Sequence, residues 1–242
     1  QQIKDKKPKT IFHLGGISST TETDSSKVVN NNILFSTQLM EYCIKNNINF
    51  VYASSASVYG LGENGFEENC SLNPLNYYAI SKTCLDLIAK QKIIDNPKAK
   101  IVGLRYFNVY GKNENLKETG ASPVYKFLEQ AKNTNEIKIF KGSKNFLRDF
   151  IHVDDITSIT KRAIEFPSGI YNVGTGNARS FFEIAKIISD LTNAKIQEIP
   201  FPLHLQGKYQ EYTCSDNSKI NSIGCAEDRI SLEEGIKRTI NV

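Results

Sequence analysis

No two of the five cysteines in this 242-residue chain form a C-x-x-C pair; Cys43, Cys70, Cys84, Cys214 and Cys225 are odd in number and widely spaced. That spacing argues against a disulfide framework and a thiolate zinc site, and it fits a reducing, cytoplasmic compartment. The sequence has no run of about eighteen apolar residues and no charged-then-apolar leader, so neither a membrane span nor a cleavable signal is expected. It also lacks any long block of one charge: 30 Lys and Arg are mixed with 26 Asp and Glu, for a net charge of +4. A dedicated nucleic-acid surface is therefore not expected. The one basic cluster, Lys4, Lys6, Lys7 and Lys9 beside Pro8, reads as a solvated terminal segment. His13, His152 and His204 have no ligand spacing to one another or to acids, and no metal site is expected.

What is present is enough apolar material, 40% of residues, for one large domain or a domain with a smaller appendage. The short apolar run "TIFHLGG" ends in glycines, as a buried strand does before its loop. Apolar residues then recur at helical spacing from Lys27 to Asn46, followed by the strand-like "FVYASSASVYG". A second helix is expected over about 76–95, stopping near Pro97 and leading into "AKIVGLRYFNVYG". Strands alternating with helices of this length predict a doubly wound parallel α/β sheet. After Gly111 the rhythm loosens into a polar loop, a helix near 122–134 and the short strands "IKIF" and "FIHV". A further strand, glycine loop and helix occupy "GIYNVGTGNARSFFEIAKIISDL", where Ser180 and Glu183 stand in capping-box spacing, and a last helix is expected near 231–240. Residues 1–111 thus read as a partial dinucleotide-binding domain. Residues 112–242 read mainly as a smaller substrate domain, with about 149–175 returning to the first.

Ligands of open α/β sheets lie beyond the carboxyl ends of the strands, so the loops after "IFHL", "FVYA" and "LRYF" should share one crevice. Tyr78 and Lys82, four apart on the second helix, can both face it. A nearby ammonium favours the phenolate, which a tyrosine of ordinary pKa about 10 otherwise withholds at neutral pH. The spacing alone is common on solvated helix faces. The preceding strand, however, ends in small hydroxyl residues, and one of Ser54 and Ser55 can reach the crevice to assist proton transfer. A strand-end turn that uses serine to satisfy backbone groups is the blander alternative. "NVGTGNARS" follows a strand and opens a helix, but Arg179 stands where a third glycine would be and no acidic residue ends a strand about 20 residues on. It reads as a helix-start turn, not a phosphate cradle.

The blocks "SSASVYG", Tyr78-Ala-Ile-Ser-Lys82 and "LRYFNVYG" resemble the extended short-chain dehydrogenases that modify nucleotide sugars. Together with "FHLGGISSTTETD", "FKGSKNFLRDFIHVDD" and "IPFPLHLQGKYQ", they resemble in particular the ADP-L-glycero-D-manno-heptose 6-epimerases, over about residues 10–213. The resemblance implies a Rossmann-like fold, a homo-oligomer, NADP or NAD as cofactor, and an ADP-sugar substrate inverted at C6 by hydride removal and return. It makes Tyr78 the catalytic tyrosine, Ser55 its serine and Lys82 the cofactor-ribose lysine, with Tyr77 out of register in packing or loop. Lys117 becomes a second acid/base, although Leu116, Glu118, Thr119 and Gly120 around it depart from the family's H-K-G-[ST]-M-A-S. Cofactor contacts are implied at Leu14, Gly15, Gly16, Ile17, Ser18, Asn31 and Val109. Substrate contacts are implied at Asn108, Thr119, Lys126, Phe140, Lys141, Gly142, Ser143, Arg148 and Tyr209, Arg148 being suited to diphosphate.

The family's G-x-G-x-x-G unit precedes the equivalent of "IFHLGG", and only about ten residues stand before that strand here. The expectation is a chain that keeps the later cofactor contacts, lacks the pyrophosphate cradle and exposes the edge of "TIFHL". It could be a shortened active epimerase, a chain whose preceding part lies outside this sequence, or a catalytically dead remnant that binds sugar nucleotides or other subunits. A UDP-hexose 4-epimerase is the nearest enzymatic alternative. Ala56 and Ser57 stand where a 4,6-dehydratase carries its acid pair, which disfavours that activity.

Overall fold

The computed structural model describes residues 6–63, 65–202, 210–226 and 228–240, without the side chains of 118 and 119. Four parallel strands form its main sheet: β1 (Thr10–His13), β2 (Asn49–Ser55), β3 (Ile101–Tyr106) and β7 (Gly169–Val173), in that spatial order. Helices cover both faces. On one lie α1 (Ser25–Val28), a π-helical turn (Val29–Leu34), α2 (Phe35–Lys45) and α3 (Tyr77–Asp95); on the other lie α5 (Val153–Arg162) and the short α7 (Ser218–Ser222).

Alternation along the strands builds both layers at once. Phe50, Tyr52 and Ile101 pack under Met40 and Cys43 of α2 and Leu85 and Ala89 of α3. Val51, Val102 and Leu104 turn the other way, onto Ile156 and Ile159 of α5 and Ile220 of α7. Both faces of β2 are buried, which is why "FVY" is a continuous apolar run and not an alternating one. β1 lies at the sheet's edge among the described residues, with Phe12 and Leu14 exposed.

β4 (Asn108–Tyr110) pairs with β6 (Leu147–His152), which also pairs with β8 (Ala178–Ser180). Beyond them α4 (Pro123–Thr134), β5 (Glu136–Phe140), α6 (Phe181–Thr192), β9 (Lys195–Ile199) and α8 (Leu232–Ile240) enclose a second apolar cluster around Phe127, Ile137, Ile184 and Ile236. Ser180 and Glu183 form the expected capping box at the start of α6. Asn76 caps α3 by accepting from the Ala79 amide at 2.9 Å, which places the two tyrosines in the first turn. Several elements differ from the sequence reading, among them β8 and β9, which the sequence left unassigned. The single helix expected from Lys27 to Asn46 contains a π turn, and α5, unassigned in the sequence, fills the stretch after "FIHV".

Candidate active site

Because the main-sheet strands are parallel and adjacent, the segments after β1, β2 and β3 emerge at one end of the sheet. Ser55 closes β2 beside the first turn of α3, where its hydroxyl accepts from the Ser57 amide at 3.2 Å, capping the turn that follows, and lies close enough to Tyr78 to favour its phenolate. Of the two serines that could have reached the crevice, Ser55 is the one that does. Ser54 is 2% exposed and pairs with Arg105 across the sheet. Tyr77, the first residue of α3, is turned toward solvent, 46% exposed.

Lys82, one turn after Tyr78, places its Nζ 5.9 Å from the centroid of the tyrosine ring and donates to the Ala53 carbonyl at 2.7 Å. Burial lowers its pKa to about 8, while the Asp86 carboxylate pulls the other way. Tyr78 departs from expectation. Burial pushes its pKa above the usual phenol range, only partly offset by the Ser55 hydroxyl, so the side chain is a neutral phenol at neutral pH. The lysine is near enough to the ring to orient it, yet desolvation of the phenolate is the larger effect.

The loop after β1 is tied to this group. Asn32, buried in the π turn, accepts from the Ile17 amide at 2.8 Å and donates both to the Ile17 carbonyl at 2.9 Å and to the Ser81 hydroxyl at 3.0 Å. Gly16 is required here, because a Cβ would stand 2.9 Å from Asn32 Oδ1 and its φ of +153° is one that other residues rarely adopt. Leu14, Gly15, Gly16 and Ser18 are exposed and Ile17 is half-buried, so the loop presents itself along the lysine's side of the sheet end. Asn31, the asparagine singled out in the sequence, is exposed and donates to the Lys27 carbonyl at 2.8 Å. The extra residue of the π turn is what turns Asn32 inward, and only the helix geometry reveals it.

These residues fit a nicotinamide dinucleotide. The Lys82 ammonium is buried with one protein acceptor among the described residues, leaving N–H groups for ribose hydroxyls, and the glycine loop lets a ligand approach the backbone.

The remaining candidates lie elsewhere. Asn108 and Val109 are in β4, opposite Phe150 and Ile151, with Val109 packed on the apolar cluster of the main sheet. Phe140 ends β5 against Phe201, and Lys141 and Gly142 form an exposed turn before the buried Ser143. Lys126 is exposed on α4. Arg148 is buried, 6% exposed, and donates to the carbonyls of Leu147 and Gln210. Gln210 in turn donates to the Gly60 carbonyl, which links Arg148 to the turn that follows Ser55. Lys117 lies in a 3-10 segment (Glu114–Gly120), its side chain 49% exposed and 3.8 Å from Glu114. Glu114 itself is buried and fastens the segment by accepting from the Gly111 amide, the Ser122 amide and the Ser122 hydroxyl. The Thr119 side chain and Tyr209 lie outside the described residues.

The glycine loop of "NVGTGNARS" holds an anion after all, but one from the chain itself. The buried Asp149 carboxylate accepts from the amides of Thr175 at 2.8 Å, Gly176 at 2.9 Å and Ser215 at 3.0 Å, and from the Thr175 hydroxyl. Those donors are thereby occupied, in agreement with its reading as a turn and not a phosphate cradle. Several other structurally important residues escaped the sequence reading: Asn32, Glu114, Asp149, and the buried Asp86 and Arg105. Asp86 carried a signal, since it continues the four-residue spacing of Tyr78 and Lys82.

The family model described as "NAD dependent epimerase/dehydratase family" matches residues 1–174. An ADP-L-glycero-D-manno-heptose-6-epimerase of Brachyspira hyodysenteriae is 44% identical over 245 residues, spanning 99% of this chain and 77% of the relative. Among solved structures, the Helicobacter pylori ADP-L-glycero-D-manno-heptose-6-epimerase superposes with a TM-score of 0.84 at 30% identity, covering 96% of this chain and 71% of that one. A UDP-glucose 4-epimerase of Thermotoga maritima, solved with UDP-glucose, superposes at 0.87 with 26% identity over 99% of this chain and 78% of that one.

Proposed function

The chain belongs to the NAD dependent epimerase/dehydratase family, and on that premise we propose that it is an NADP-dependent epimerase inverting C6 of the heptose in ADP-glycero-manno-heptose. The observation that carries the reading is the Ser55–Tyr78–Lys82 group at the carboxyl end of β2, in a chain 44% identical to a heptose epimerase. The dinucleotide, when bound, supplies the acceptor and donor of the hydride. Lys82 and the loop from Leu14 to Ser18, with Asn31 and Val109, would hold it.

Once its own phenol proton has been given up to solvent, Tyr78 as phenolate takes the proton of the C6 hydroxyl on oxidation and returns it on reduction, with Ser55 placed to hydrogen-bond the same oxygen. The intermediate ketone is planar at C6, so return of hydride to the opposite face inverts the centre. An alcohol presented from the other face needs a second proton carrier, and Lys117 is the candidate. Asn108, Thr119, Lys126, the Phe140–Ser143 turn and Tyr209 would contact the ADP-sugar. Arg148 supports this surface through its carbonyl bonds to Leu147 and Gln210. A cytoplasmic site of action fits the free cysteines, and none of the helices among the described residues is long and apolar enough to cross a membrane. A homo-oligomer is proposed from the same family relation.

The test is turnover of ADP-D-glycero-manno-heptose by the purified protein with NADP⁺ or NAD⁺, followed by NMR of the C6 proton. Tyr78→Phe should lower kcat by at least about 100-fold. Inversion of UDP-glucose with no reaction of the ADP-heptose would replace this reading by a hexose 4-epimerase, the alternative that the Thermotoga structure favours.

A further inference from the structure

Beneath the active-site face of α3 lies a charged pair that the proposed reaction does not use. Asp86 and Arg105 are both 0% exposed, with Arg105 Nε 2.8 Å from Asp86 Oδ2. The other carboxylate oxygen accepts from the Tyr52 hydroxyl at 2.9 Å, and Arg105 also donates to the Tyr59 hydroxyl at 2.8 Å. Tyr59 continues the chain of bonds to Asn172 on β7, whose amide is held by Glu68. Gly103 leaves the room for this arrangement, since a Cβ there would stand 2.5 Å from the Tyr52 ring. A buried ion pair is often no more stabilising than an apolar pair of the same size, so its position on the helix is the informative fact. Tyr78, Lys82 and Asp86 occupy successive turns of one face.

We propose that Asp86 is a positioning residue for Lys82: its carboxylate, fixed by Arg105 and Tyr52 one turn beneath, is the counter-charge that keeps the buried ammonium protonated and directed at the Ala53 carbonyl. The titratable groups facing this pair are Tyr78 on the same helix and His13 on β1 beside the lysine, and Tyr52 on β2 and Arg105 on β3 beside Asp86, with Tyr59 behind Arg105. On the π-helical side, Asn32 meets Ser81 of α3, and both are neutral. Asp86 is the only negative charge among these groups. Desolvation drives Lys82 toward the neutral amine, and the Asp86 charge is what opposes it. This deepens the epimerase reading, on which it rests only for the lysine's use: a charged Lys82 that donates to Ala53 keeps two N–H donors for a ribose, whereas a neutral amine keeps one and no charge.

The experiment is an NMR titration of the full chain carrying ¹³Cε-labelled lysine, with the Lys82 signal identified by its loss in Lys82→Met. The parent should titrate at about 8. Asp86→Asn should bring that midpoint down by about one unit or more. Tyr52→Phe, which removes a hydrogen bond but leaves the charge, should shift it by less than about 0.3 units. The charge-free pair Asp86→Leu with Arg105→Met keeps the core apolar and should show a smaller fall in the same direction if Asp86→Asn does not fold, since a cation leaves with the carboxylate. An unmoved midpoint in the variants lacking Asp86, or an equal fall in Tyr52→Phe, overturns the proposal and leaves the pair a structural brace. The titration reads the lysine itself, so absence of ADP-heptose turnover alongside the expected shift would count against the epimerase reading alone.

Discussion

Lys82 shows how one residue can serve a site at the expense of the fold. Its pKa of about 8 lies below the 10.5 of an ordinary lysine, so between those values the unfolded chain holds more protons than the folded one. Stability therefore rises with pH from about 8 to about 10.5, and below that window the cost of burying the ammonium is present in full. Lys82→Met should raise the thermal midpoint at pH 7, by roughly 2–4 °C for each kcal/mol regained, and the gain should shrink as the scan is moved toward pH 10. The same variant should lose turnover. A melt at pH 7 no higher than the parent's would mean that the Ala53 hydrogen bond outweighs the desolvation. At this scale the sequence was informative where roles follow from spacing, as for Tyr78 and Lys82. It misjudged the tyrosine's protonation, because burial is a property of everything packed around the ring.

Elements were legible in proportion to how locally they are specified. The α6 capping box is complete within four residues, Ser180 to Glu183, and was readable directly. Ser180→Ala should cost about 1 kcal/mol in chemical denaturation, the usual price of a lost N-cap. Asp149 does its work across the fold, joining β6 to the loop after β7 and to the segment at Ser215. Asp149→Ala strands three amide donors and should cost roughly 3 kcal/mol or more, clearly beyond the Ser180 variant measured the same way. Equal losses would show that the loop relaxes and hydrates its amides. The helix α5 was missed although Ile156, Ile159 and Ala163 stand at helical spacing, because ten residues between two strands give too short a pattern to separate from a loop.

For the whole molecule, the outward faces of the helices matter most. Ile80, Leu87 and Ile94 recur every seven residues along α3 and are 41%, 56% and 72% exposed. Val29, Leu34 and Phe35 are exposed on the neighbouring π turn and α2. The proposed homo-oligomer would make its contact on this apolar surface, since exposed apolar side chains grouped in this way are characteristic of interfaces. Leu87→Glu should shift the sedimentation coefficient to that of a smaller species, whereas Lys126→Glu on α4 should leave it unchanged. A parent chain already monomeric at micromolar concentration would remove the argument.

The sequence by itself determined the strand and helix rhythm, the parallel α/β class, the capping signals and the common helix face of Tyr78 and Lys82, because each is a matter of periodicity or spacing within a few turns of chain. Only the tertiary structure decided which serine meets Tyr78, that Asn32 and not Asn31 turns inward, that Asp149 fills the glycine loop, and that Asp86 finds Arg105. Most of those choices join residues on different elements, and for Asn32 the π turn shifts the register of the helix face. They depend on which side of a strand or helix turns inward, and that is fixed by packing of the whole core.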